Sequence, residues 1–241
     1  MSGSAVGGAG GSVVPSVSGV GSASGVRIPR VLSIAGSDPS GGAGIQADLK
    51  SIAANGGYGM AAITALTAQN TLGVRGVHVP PADFLREQLD ALSDDIAIDA
   101  VKIGMLGTVE VVDVVRAWLE RVQPPVVVLD PVMVATSGDR LLDAEAEQAL
   151  RDLVRVCDLV TPNIPELAII AAEPAAETWR EVLEQAGQVS ASYGVRVVAK
   201  GGHLSGVEAP DALVDARSGN AAVVTEFGGI RIETSNTHGT G

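Results

Sequence analysis

The chain has 241 residues, 46% of them apolar, and a mean hydropathy of +0.30. That is enough to bury a sizeable core, and with aromatics at only 2% the core must be built from Ala, Val, Ile and Leu. A formal net charge of -12 argues against nucleic acid and anionic membranes as partners, and a single cysteine, Cys157, cannot close an internal disulfide, which suits a reducing cytoplasm.

Residues 1–29 read as a disordered tail. The first 26 are mostly Gly, Ser, Ala and Val and carry no charged side chain. They lack the basic start and compact apolar stretch of a secretory signal, and Gly and Ser on this scale favour flexibility. No apolar run reaches the roughly 18 residues that would suggest a membrane-spanning helix. The folded domain is expected over 30–241.

From Arg30 the pattern changes. "RVLSIAG" predicts a buried strand, and "GIQADLKSIAANGG" a helix stopped by Gly56-Gly57. "MAAITALTAQN" reads as one strand. "PPADFLREQLDALSDD" places Leu85, Leu89 and Leu92 on one face of a helix with Asp83 in its first turn. "DAVKIGM" reads as a strand and "TVEVVDVVRAWLERV" as a helix. "PVVVLDP" is an uninterrupted apolar strand of the kind covered on both faces. "DAEAEQALRDLVRVCD" predicts a helix with Leu150, Leu153, Val154 and Cys157 on one side. "LVTPN" is a strand, "IPELAIIAA" a short helix, "ETWREVLEQAGQVSASYG" a longer one, and "VRVVAKGG" a strand. "DALVDA", "AAVVTEF" and "IRIET" read as short terminal strands. Such alternation predicts a three-layer α/β/α domain with a mainly parallel central sheet.

In such folds ligands sit beyond the carboxyl ends of the strands. Those ends carry Gly36-Ser37-Asp38, Gln69-Asn70, Gly104-Met105, Asp130, Asn163 and Gly201-Gly202-His203. The loop "AGSDPSGGAGIQAD" loosely matches a dinucleotide fingerprint, but the following strand does not end in the acidic residue that motif requires. There is no G-x-x-x-x-G-K-[ST] run either. What remains is a strand, a glycine loop and a helix start, which can cradle a small polar molecule or simply make a tight turn. Asp130 at the lip of an apolar strand needs a partner, and a magnesium ion or its waters would serve, as would a loop cap. Asn163 and Glu166 in "TPNIPE" can face the same edge, or Glu166 can complement the helix dipole. His203 and His238 are not spaced as zinc ligands, and Cys157 on an apolar face reads as core. The closing "NTHGTG" looks like the start of a helix whose backbone N–H groups would form an anion hole.

Seven motifs in order, "AGSDPSGGAGIQADLK", "TALTAQNT", "KIGML", "VVLDPVM", "TPNIPE", "KGGH" and "NTHGTG", resemble the hydroxymethylpyrimidine/phosphomethylpyrimidine kinases of thiamine biosynthesis, within the ribokinase-like superfamily. The resemblance runs from about Val31 to Gly241. It implies ATP-dependent phosphorylation of 4-amino-5-hydroxymethyl-2-methylpyrimidine and then of its monophosphate, with ATP and Mg2+ as cofactors. Carried over by position, Gly36, Asp48, Thr67, Gln69, Met105 and Val132 would line the pyrimidine pocket, though the family often has valine where Thr67 stands. Asp130 and Glu166 would organise magnesium, Asn163 and Lys200 the nucleotide, and Gly239 and Gly241 the anion hole.

In the family, "GTG" is followed by a cysteine beside the substrate hydroxyl and by further helices, so the sequence reads as a fragment whose own activity is expected to be impaired. Two other readings stand beside this one: a pyridoxine/pyridoxal kinase of the same superfamily, and a non-catalytic pyrimidine-binding domain of a fusion protein. The expected partner is a small-molecule substrate, and a homodimer is left open.

Overall fold

The computed structural model describes residues 27–132, 144–219 and 221–232. The tail expected over 1–29 lies almost wholly outside these, as do Gly239 and Gly241. In chain order the elements are β1 (Arg30–Ala35), α1 (Gly44–Ala54), β2 (Tyr58–Ile63), β3 (Leu66–Asn70), β4 (Gly73–His78), α2 (Ala82–Asp95), β5 (Ala100–Ile103), α3 (Val109–Val122), β6 (Val127–Leu129), α4 (Ala144–Val154), β7 (Leu159–Val160), α5 (Ile164–Ala171), α6 (Trp179–Tyr193), β8 (Arg196–Lys200), β9 (Asp211–Asp215) and β10 (Val223–Phe227).

Among the described residues, eight strands form one sheet in the order β10-β9-β8-β7-β6-β5-β1-β2. The run from β2 through β1, β5, β6, β7 and β8 is parallel, and β9 and β10 are antiparallel additions at one edge. The alternating α/β pattern therefore gives the α/β sheet expected from it. Side-chain alternation along the strands separates two faces. Leu32, Ile34, Val101, Ile103, Leu129, Val160, Val197 and Val214 are buried almost completely. They lie in register across the sheet, beneath helices that pack in succession from α2 on α3 to α5 on α6. Trp118 on α3, 2% exposed, is the largest side chain of that core. The opposite face receives α1, which packs on β1 and β2.

Local rules explain several boundaries. Helix α3 begins where the Thr108 hydroxyl accepts a hydrogen bond from the Val111 N–H. Helix α6 begins with a reciprocal capping box between Thr178 and Glu181 and ends on Gly194 in the left-handed region. The Glu181 carboxyl is held below the usual range by the backbone N–H groups of Glu177 and Thr178.

Three expectations need correction. "MAAITALTAQN" is two strands: β2 ends at Ile63, and β3 pairs antiparallel with β4 in a separate hairpin. The residues after the second sheet strand are thus Thr64 and Ala65, while Gln69 sits in the hairpin. Helix α4 stops at Val154, so Cys157 lies beyond it, although still buried at 7% exposure. Of "IRIET", Ile230 makes only an isolated bridge to Glu208, and its last two residues lie outside the described residues.

Candidate active site

The strand order reverses at β1: the chain goes from β1 to β2 on one side and returns to β5 on the other. That makes a crevice at the carboxyl ends of β1 and β5, the usual place for a ligand in an open α/β sheet. Gly36 lies on one side of it and Met105 on the other. A Cβ added at Gly36 would lie 2.7 Å from Met105 Cε, so the glycine leaves room for the thioether to stand there.

The loop after β1 is held from within. Asp38, 1% exposed, accepts hydrogen bonds from the N–H groups of Ser40, Gly42 and Ala43 and from the Ser40 hydroxyl. Its own N–H donates to Gln46 Oε1 at 2.7 Å. Gly44 has φ +55, and a Cβ there would meet the Gly36 carbonyl oxygen at 2.3 Å, so α1 can approach this closely only with glycine at its start. Loop and hairpin are tied together. The Thr67 N–H donates to Ser37 Oγ at 3.1 Å, and the Thr67 hydroxyl donates to the Ser37 carbonyl at 2.8 Å and lies 3.2 Å from Gln69 Oε1. Thr64, 1% exposed, donates its hydroxyl proton to the Met105 carbonyl at 2.7 Å and fixes the loop after β5. Gly36, Thr67, Gln69 and Met105 are thereby brought together.

Asp48 on α1 stands over β1 and β5. Its Oδ2 accepts a hydrogen bond from Ser33 Oγ at 2.6 Å and from Lys102 Nζ at 3.0 Å. Further along the same edge, Asp130 Oδ1 accepts from Thr161 Oγ1 at 3.0 Å and from Lys200 Nζ at 3.1 Å. Val132 follows, its N–H donating to the Asp130 carbonyl at 2.9 Å. Asn163 caps α5 and Glu166 completes the capping box, its Oε2 accepting the Asn163 N–H at 2.8 Å, with Glu166 only 4% exposed. Asn163 also bridges to Lys200 in parallel fashion. So Asp130, Asn163, Glu166 and Lys200 form a second group, under the ends of β6, β7 and β8. His203 follows Lys200, and partial burial together with the charges of Lys200 and Arg231 holds its imidazole below the usual range.

Sequence reasoning passed over Ser33, Thr64, Lys102 and Thr161. Lys102 had a signal: a lysine in the middle of the apolar strand "AVKI" needs a buried counter-charge. The hydroxyls had none, because Ser and Thr are common at strand ends for many reasons.

Residues 38–241 match the family model for phosphomethylpyrimidine kinase. The thiamine biosynthesis multifunctional protein ThiED of Corynebacterium efficiens is 54% identical over 216 residues, which are 90% of this chain and 29% of that protein. The chain therefore spans under a third of that relative's length. The hydroxymethylpyrimidine/phosphomethylpyrimidine kinase of Escherichia coli is 48% identical over 88% of this chain and 78% of its own. In structure, the pyridoxal kinase from Staphylococcus aureus in complex with AMP-PCP superposes with a TM-score of 0.78 at 30% identity, over 89% of this chain and 76% of that one. The crevice at the β1–β5 reversal, the Asp130–Lys200 group beside it and these matches agree, and the chain belongs to the phosphomethylpyrimidine kinase family.

Proposed function

We propose that this domain transfers the γ-phosphoryl group of ATP to the 5-hydroxymethyl group of 4-amino-5-hydroxymethyl-2-methylpyrimidine, and then phosphorylates the monophosphate. The observation that carries this reading is the placement of two unlike groups on one sheet edge. A crevice bordered by Gly36, Met105, Thr67 and Gln69 lies at one end, and the Asp130–Lys200 pair with its capped helix lies at the other. The first suits a flat, polar-edged ring: the Gln69 amide offers both a donor and an acceptor. Val132, in the loop after β6, would add apolar contact. The second suits phosphates, with Lys200 as a point charge and Asn163 beside it.

Magnesium fits Asp130. The carboxylate is a hard ligand, its side chain is 28% exposed, and Oδ2 accepts no hydrogen bond among the described residues. Glu166 is used by the α5 cap, so it would act on a hydrated ion through water. Bound there, the ion would neutralise charge on the phosphates. No step needs a strong base from the described residues, since phosphoryl transfer depends mostly on positioning and charge stabilisation. Gly239 and Gly241, outside the described residues, would supply backbone N–H groups to the transferred phosphoryl. The acidic surface and single cysteine suit a cytoplasmic enzyme.

ADP release dependent on the pyrimidine alcohol, in the full-length protein, tests the reading. A pyridoxal kinase activity is the second reading, favoured by the 30%-identical pyridoxal kinase structure. Turnover with the two alcohols in competition separates them: preference for pyridoxal would overturn the pyrimidine assignment.

A further inference from the structure

The Ser33–Asp48–Lys102 cluster has a construction that packing alone does not require. Ser33 and Lys102 are register partners on adjacent strands, so both side chains point to the same face, the one α1 covers. Lys102 stands between Val101 and Ile103, both buried, and would be a costly choice for a strand interior without its carboxylate. Gly104 is part of the arrangement: a Cβ there would lie 3.1 Å from Lys102 Nζ, so the glycine keeps space for the ammonium. Both donors take the same oxygen, Asp48 Oδ2. Oδ1 accepts no hydrogen bond among the described residues, although the side chain is only 15% exposed. A carboxylate clamped through one oxygen, with the other left over at a mostly buried position, is arranged to receive a donor from elsewhere.

We infer that Lys102, with Ser33, is a positioning residue that fixes Asp48 so that Oδ1 accepts a hydrogen bond from the exocyclic amino group of the aminopyrimidine. The inference rests on the proposed function. It assigns Lys102 no contact with substrate: it acts through Asp48. The charge matters as well as the geometry, because Lys102 offsets the desolvation of the carboxylate when a ring closes over it.

The test is a double-mutant cycle in the full-length protein, with KM for the pyrimidine alcohol and for ATP measured separately. Lys102→Met should raise the pyrimidine KM roughly tenfold or more, since the charged partner of a mostly buried carboxylate is lost, and leave the ATP KM unchanged. Lys102→Arg, which keeps the charge, should fall between wild type and Lys102→Met. In an Asp48→Asn background, Lys102→Met should add little further, because the residue it acts through is already altered. An unchanged pyrimidine KM in Lys102→Met, or an equal additional rise in the Asp48→Asn background, overturns the inference. If Lys102→Met does not fold, Ser33→Ala takes its place in the same cycle with the same expected and overturning results. Absence of pyrimidine turnover in the wild-type protein would instead overturn the proposed function.

Discussion

Lys200 Nζ lies 3.1 Å from Asp130 Oδ1, although 70 residues separate the two in the chain. The strands that carry them are not neighbours: β7 lies between β6 and β8, and the pair reaches across its end. Thr161, just beyond the strand between them, donates to the same oxygen. The relationship predicts a split between chemistry and binding. Asp130→Asn removes the charge that Lys200 faces and that a metal ion would use, so phosphoryl transfer should fall at least about tenfold. Pyrimidine affinity, which the proposed function assigns to the other end of the edge, should persist in calorimetry. Equal loss of both would make Asp130 a structural residue.

The two glycines of the first loop should respond differently to a methyl group. At Gly44 the added Cβ would lie 2.3 Å from the Gly36 carbonyl oxygen with φ at +55, so the backbone of the ligand loop must move. Gly44→Ala should therefore cost about 1–3 kcal/mol or more. At Gly36 the obstacle is Met105 Cε, the flexible end of a side chain, so Gly36→Ala should change stability by under about 1 kcal/mol while narrowing the crevice. Urea midpoints and pyrimidine KM for both variants test this. A Gly44→Ala midpoint equal to wild type would refute the close approach of α1 to β1.

Cys157 should be silent in the native protein. Burial pushes its thiol up to about 12, with the Asp158 charge adding to the effect, and its S–H donates to the Leu153 carbonyl at 3.3 Å. Alkylation near pH 8, followed by peptide mass spectrometry, should label Cys157 only as the domain opens, and urea should accelerate labelling steeply. Rapid native labelling would place the thiol at the surface.

Asp99 ties the start of β1 to the start of β5. Its carboxylate accepts from the Arg30 guanidinium and backbone N–H, and with Arg27 nearby it is held at about 2, below the ordinary 3.8. A lowered carboxyl contributes stability that is full above the unfolded value and is lost as pH falls through the folded one. Asp99→Asn should thus lower stability near neutral pH, and the gap to wild type should close between about 4 and 2. A gap that stays constant over that range would mean that what Asp99 contributes does not depend on its charge.

The order of strands and helices was legible because each sheet strand is a short apolar run and each helix shows a 3.6-residue stripe, as Leu85 and Leu89 do in α2. The hairpin was not. Its first strand continues the apolar text of β2 with no Gly or Pro between Ile63 and Leu66, and its second, "GVRGVH", is exposed throughout, so neither period-2 burial nor a break announced it. Asp130 and Asn163 stand in motifs that mark them as candidates from the sequence, and the structure places both at the ends of neighbouring strands. Thr161 and Ser33 matter only through partners brought in by the sheet register, and no local pattern encodes that.

Gln69 is the residue whose role depends most on that hairpin. It sits where the β3–β4 register shifts, between Ala68 and Gln69, and the Thr67 hydroxyl lies 3.2 Å from its Oε1 while donating to the Ser37 carbonyl of the first loop. The unpaired residue at that shift is Arg75 of β4, and the tie from Thr67 to Ser37 holds β3 beside the loop that borders the crevice. Gln69→Leu should leave the fold intact, because β3 and β4 form a partly exposed hairpin apart from the main sheet. It should raise the pyrimidine KM about tenfold or more, since an apolar side chain leaves the amino and ring-nitrogen edge of the base without partners. The ATP KM should not change, the Asp130–Lys200 group being at the other end of the edge. A pyrimidine KM and kcat equal to wild type would remove Gln69 from the pocket.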